Sequence, residues 1–147
     1  MLRRILCGFG MTCLSALASS ATTPVATDTV RSAFVNDKPA EVRLAKDGIR
    51  VASYRFSRAM RGGANPFKMG AGPAVVFSVI NEGTVERDFG IAVALFDMSG
   101  RLVGAGTAHH TGKLDAGKSE EVKVVFQDVN QDVHRAATIF MTLETGR

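Results

Sequence analysis

Beyond its first forty residues this chain keeps a hydrophobic period of two and nowhere sustains one of 3.6. Side chains on a strand alternate between faces, so this period commits the chain to sheets with one face buried. Val42 and Leu44 alternate with charged neighbours, and Ile49, Val51 and Ser53 alternate with Arg50, Ala52 and Tyr54, running on to Phe56. Between them Lys46-Asp47-Gly48 is a turn signal, since Gly48 takes positive φ without a steric cost, and the pair reads as a hairpin. Pro73 to Ile80 is apolar and β-branched and predicts a buried strand. Asn81-Glu82-Gly83-Thr84 turns the chain into a strand from Val85 to Asp97, and Met98-Ser99-Gly100 turns it into another from Arg101 to Thr111. Gly112 to Lys118 reads as a loop, Val122, Val124 and Phe126 alternate with Lys123 and Val125, and Gln127 to His134 reads as a polar connection. Ile139, Met141 and Leu143 then oppose Thr138, Phe140 and Thr142 in a closing strand. About seven strands with turns every 8 to 12 residues predict an antiparallel sandwich, with barrel closure as the alternative.

The first twenty residues are of another kind. Arg3 and Arg4 form a basic start, Ile5 to Ala18 is an uncharged apolar and small-residue run, and Ala18 to Ala21 supplies small side chains for a cut. The run is shorter than the roughly 20 residues that span a bilayer, so residues 1–21 read as a cleavable signal peptide rather than an anchor. Cleavage near Ala18 or Ala21 would place the chain outside the cytosol, secreted or periplasmic, with no transmembrane segment in its mature form. Cys13 lacks a preceding leucine, so the lipoprotein pattern is incomplete. Both cysteines, Cys7 and Cys13, would leave with the leader. Residues 22–40 read as a polar lead-in, in which Val30 to Val35 fits either a short helix or a docked strand, and residues 41–147 as the sandwich domain.

Charge is uneven along the chain. The 147 residues carry a net +4, which falls to +2 without Arg3 and Arg4. Residues 22–70 hold nine Lys or Arg against four Asp or Glu, whereas residues 71–147 hold seven against ten. No acid lies between Asp47 and Glu82. That interval holds Arg50, Arg55, Arg58, Arg61 and Lys68, together with a Gly-rich break over 57–72 containing Met60, Pro66, Phe67 and Met69. A loop this long inside a small domain is often functional. Arginine beside exposed apolar groups suits a partner with anionic and greasy parts: a lipid headgroup surface, a lipopolysaccharide or an acidic protein patch. The binding candidates are therefore Arg55, Arg58, Arg61, Phe67 and Lys68. The bland alternative is a solvated loop whose charge aids solubility.

The stretch from Val75 to Leu143 resembles the FxLYD-type immunoglobulin-like domain of bacterial secreted and envelope proteins. The resemblance rests on Val79-Ile80-Asn81-Glu82-Gly83-Thr84, on Val93-Ala94-Leu95-Phe96-Asp97 followed by the Gly100 turn, and on Leu114-Asp115-Ala116-Gly117 before the run Val122 to Phe126. Val93 stands where the family pattern has Phe, and Phe96 where it has Tyr. The resemblance implies an immunoglobulin-like sandwich in an envelope or extracellular setting, and no reaction. Its motif residues are architectural: Asn81 and Gly83 suit a tight turn, Asp97 can accept backbone N–H groups, and Gly100 and Gly117 relieve positive φ.

Other chemistry finds less support. A periplasmic copper-type site would combine imidazole with thioether, and the candidates are His109, His110 and Met69, with His134 and Met60 further off. Adjacent histidines on a strand point to opposite faces, so His109 and His110 should not chelate one ion together. Met98 and Met141 read as turn and core residues. Ser119, His110 and Asp115 could be assembled into a hydrolytic set, but no Gly-x-Ser-x-Gly elbow occurs, and Glu120-Glu121 alternates across a strand. A mature net charge of +2 and the lack of a zinc or RNA-binding motif argue against nucleic acid. The sequence thus predicts a non-enzymatic binding module without a cofactor, its partner a protein or an anionic envelope surface. The alternatives are a His/Met metal-binding protein and a structural accessory domain.

Overall fold

The computed structural model describes residues 26–57, 73–126 and 131–146. Eight strands form two antiparallel sheets: β1 (Ala26–Ala33), β2 (Ala40–Lys46), β3 (Ile49–Ser57), β4 (Ala74–Asn81), β5 (Phe89–Phe96), β6 (Leu102–His109), β7 (Ser119–Val125) and β8 (Thr138–Thr145). The first sheet runs β1-β8-β5-β6 and the second β2-β3-β4-β7. Among the described residues the other regular element is a 3₁₀ turn over Gln131–Arg135. The chain is therefore all-β, and no helix among the described residues is long and apolar enough to cross a membrane.

The two sheets hide their apolar faces against each other. Leu44, Ile49, Val51, Tyr54, Val75, Phe77, Val79 and Val124 of the second sheet pack into one cluster with Phe89, Ile91, Val93, Leu95, Ile139, Met141 and Leu143 of the first. The alternation read from the sequence holds strictly in β2 and β8; in β3 a register shift between Val51 and Ser53 breaks it, so Tyr54, read on the face opposite Ile49 and Val51, joins them in the core. Burial of each of these side chains stabilises the fold by ~1.5–3 kcal/mol. An exposed ion pair such as Arg55–Glu121 contributes ~0–1 kcal/mol, so the core and not the surface charge carries the fold. Close approach between sheets has its own requirement at Gly106 of β6. A Cβ there would lie 2.8 Å from Val124 Cγ1 and 2.9 Å from the Val125 carbonyl oxygen of β7.

The count of about seven strands becomes eight because the segment read as a polar lead-in contains β1. All eight residues of β1 pair with β8, from Ala26 opposite Thr145 to Ala33 opposite Thr138. Its signal was weak because Val30 is its one large apolar residue; Thr27, Asp28, Thr29, Arg31 and Ser32 are polar on both faces. Of the two readings left open for Val30 to Val35, the strand is the one seen, ending at Ala33. The strand after Asn81 begins at Phe89 rather than Val85; ahead of it the Val85 carbonyl accepts from Asn81 Nδ2, and Arg87 makes an isolated bridge with Leu114. The polar connection over 127–134 contains the 3₁₀ turn, whose Val133 enters the core. The leader, residues 1–21, lies outside the described residues.

Candidate functional site

The antiparallel register sorts every connection to one of two poles. At one pole lie the β2–β3 turn at Asp47–Gly48, the β4–β5 connection over 82–88, the β6–β7 connection over 110–118, and the paired ends Ala26 and Thr145. At the other lie the connection over 34–39, the two ends of the basic loop at Ser57 and Pro73, the β5–β6 turn at 97–101, and the approach to β8 through Ala136 and Ala137.

The first pole is tied shut around Asn81, whose side chain is fully buried at 0% exposure. Its Nδ2 donates to the carbonyls of Val85 and Leu114, each at 2.8 Å, and its Oδ1 accepts the Gly83 N–H at 2.9 Å. Its backbone N–H donates to the Lys118 carbonyl at 2.9 Å, and its own carbonyl accepts the Gly117 N–H at 2.8 Å. One residue thus holds the ends of the two connections that cross between the sheets at this pole. Gly48 closes the hairpin turn against them: it has φ 88°, and a Cβ there would sit 2.8 Å from Gly83 Cα. Asp47 accepts the Thr145 hydroxyl across the sheets at 2.7 Å, and Lys113 meets Glu86 at 2.9 Å. His110 stacks on Phe89 with ring centroids 5.1 Å apart, its Nε2 2.6 Å from Glu120 and its Nδ1 3.1 Å from the Gly112 carbonyl. Both partners are acceptors, so the set is complete when both ring nitrogens carry protons.

The second pole is built differently. Tyr54 sits under the 34–39 connection between Phe34 and Phe77, and its hydroxyl accepts the Val35 N–H at 2.9 Å. Burial pushes the phenol up, partly offset by that N–H. At the β5–β6 turn Asp97 accepts the Ser99 hydroxyl at 2.6 Å and the backbone N–H groups of Ser99 and Arg101, each at 2.9 Å. Those bonds, the Ser99 hydroxyl first, hold its carboxyl down at about 2. Around this rigid turn the molecule leaves large apolar groups in water: Met98 is 94% exposed, Leu102 55% and Phe140 38%. Phe96 meets Phe140 edge to face at 6.5 Å. Arg31, Phe96, Asp97, Met98, Thr138 and Phe140 line an open groove of about 560 Å³ on the outer side of the first sheet.

The sequence-predicted residues fall in three groups. Arg55 lies exposed on β3, paired with Glu121 of β7 at 3.0 Å, and Arg50 pairs with Glu82 at 2.7 Å. Arg58, Arg61, Phe67, Lys68 and Met69 lie outside the described residues. His109 is exposed at the end of β6, while His110 is engaged by Glu120, Gly112 and Phe89, so the structure gives the two adjacent histidines separate surroundings. His134 is exposed in the 3₁₀ turn. Among the described residues no three His, Cys, Asp or Glu side chains gather in a metal-holding group. Glu120 and Glu121 part as their alternation requires, one to His110 and the other to Arg55.

Sequence reasoning missed the groove. Its signal was present, since Phe140 was placed opposite the core positions of β8, but an outward Phe becomes informative only when Phe96 and Met98 are seen beside it. No known family model matches this chain, and no curated protein matches it.

Proposed function

We propose that this chain is a non-enzymatic secreted or periplasmic binding module, an immunoglobulin-like sandwich of the FxLYD type. Its binding pole is the one from which the loop 58–72 leaves. The observation that carries the reading is the contrast between the poles. One is tied by the Asn81 network; the other combines the exposed Met98, Leu102 and Phe140 with the two ends of the basic loop. Exposed apolar side chains at the pole where a basic loop begins and ends are the chemistry of an interaction surface, and they fit a protein or an anionic envelope surface. The sandwich type is supported by the two four-stranded antiparallel sheets, and by the way Asn81 joins the Leu114 and Gly117 turns that carry the resemblance. The metal-binding alternative has less support, because both ring nitrogens of His110 already have partners.

The test is a pull-down from an envelope extract with the chain as bait, comparing the parent with the double variant Arg58→Glu/Arg61→Glu. Recovery of the partner should fall by about ten-fold or more, and fall again with salt in the parent. Undiminished recovery with the double variant overturns the role of the loop.

A further inference from the structure

Each sheet has two edges: β1 and β6 in the first, β2 and β7 in the second. Soluble sheet proteins blunt such edges with charge, proline or bulges, because an unblunted edge recruits another strand. Three of the four edges here are blunted. β1 carries Asp28 and Arg31. β2 carries Glu41, Arg43 and Lys46, with a register shift between Glu41 and Leu44. β7 carries Glu120, Glu121 and Lys123. β6 differs: from Leu102 to Ala108 it has no charged residue and no proline, and from Gly104 to His109 its register against β5 is unbroken.

The open side of β6 offers its backbone. The His110 N–H donates to the Phe89 carbonyl, which fixes the alternation of the ladder. Ala108, Gly106 and Gly104 turn their backbone groups toward β5, and Ala105, Thr107 and His109 turn theirs away. All three outward residues are exposed, and no backbone hydrogen bond between described residues reaches them from outside the sheet. Gly106 holds β6 close against β7, and Phe126 and Val133 cover Gly104 at 3.6 Å, so the strand is fixed from behind while no described strand pairs with its edge.

We propose that β6 pairs antiparallel with β6 of a second copy of this chain, joining two four-stranded sheets into one of eight strands. The occupant follows from charge. A charged strand laid on this edge would meet no counter-charge, whereas β6 is itself the one edge strand among the described residues that is free of Lys, Arg, Asp and Glu. The pairing is self-complementary about Thr107. Thr107 of one copy exchanges N–H and carbonyl with Thr107 of the other, and Ala105 of each faces His109 of the other. The residues between are Gly106 and Ala108, so no bulky side chain of β6 itself stands between the two backbones. The pairing is argued from β6 alone, so Arg58→Glu/Arg61→Glu should leave self-association unchanged.

Sedimentation of the purified chain across a concentration series tests it, together with hydrogen exchange at the Ala105 and Thr107 amides. The parent should shift from monomer to dimer as concentration rises, and those two amides should gain protection in step. Thr107→Pro removes the outward N–H without removing a bond to β5, and Ala105→Lys places a charge on the edge; each should weaken self-association by about ten-fold or more while circular dichroism stays unchanged. A parent that stays monomeric at every concentration, even if it binds another protein, overturns the proposal. So do variants that both fold and associate as strongly as the parent.

Discussion

At the scale of single residues, Asn81 shows how a side chain that looks like punctuation can hold a fold together. In the sequence an Asn before Glu-Gly reads as a turn former, and its bond to the Gly83 N–H fits that reading. Its burial and its two donated bonds are set by Val85 and by Leu114, which lies 33 residues away, and no local pattern reveals them. Asn81→Asp keeps the acceptor and the shape but aims a carboxylate at two carbonyl oxygens. Leaving the buried Leu114 carbonyl without a donor, at ~1–3 kcal/mol, and the part-buried Val85 carbonyl at less, should lower the unfolding free energy by about 2 kcal/mol or more in urea titration. A loss below about 1 kcal/mol would show that the poles hold without it. Glycine positions were more legible: Gly48, Gly100 and Gly117 have φ of 88°, 80° and 73°, as their place in turns predicts.

At the scale of elements, legibility followed apolar contrast. β2 and β8 announced themselves by strict alternation, and β3 did so as far as its register shift after Val51, whereas β1, with polar residues on both faces, is a strand because β8 offers it an edge. The β5–β6 turn lends itself to a titration. The Asp97 carboxyl stands at about 2 in the folded protein against an ordinary 3.8, so the folded state favours its ionised form. A depressed carboxyl contributes stability that is complete above the unfolded value and is lost as pH falls through the folded one. The parent should therefore lose stability as pH drops from about 4 to about 2. Asp97→Asn, which cannot ionise, should show a shallower dependence over that interval when chemical denaturation is repeated at each pH. Parallel acid profiles for the two proteins would mean that the turn does not couple to folding.

At the scale of the whole molecule, the two-layer organisation was legible because two half-apolar sheets have few other ways to leave water. The binding pole was not, since it depends on which connections the register brings together, and the residues read as its centre fall within 58–72, outside the described residues. None of the described residues is cysteine, so stability rests on packing between the sheets. Thermal melts with and without reductant should superimpose; a lower midpoint under reductant would point to a covalent link through Cys7 or Cys13. The register also settles how the body is held. Because Ala26 pairs with Thr145, the first and last strands of the described body begin and end side by side at the pole tied by Asn81. A neighbour joined directly ahead of Ala26 or directly after Thr145 would therefore grip the same end, while the groove beside Met98 and Phe140 lies toward the opposite one.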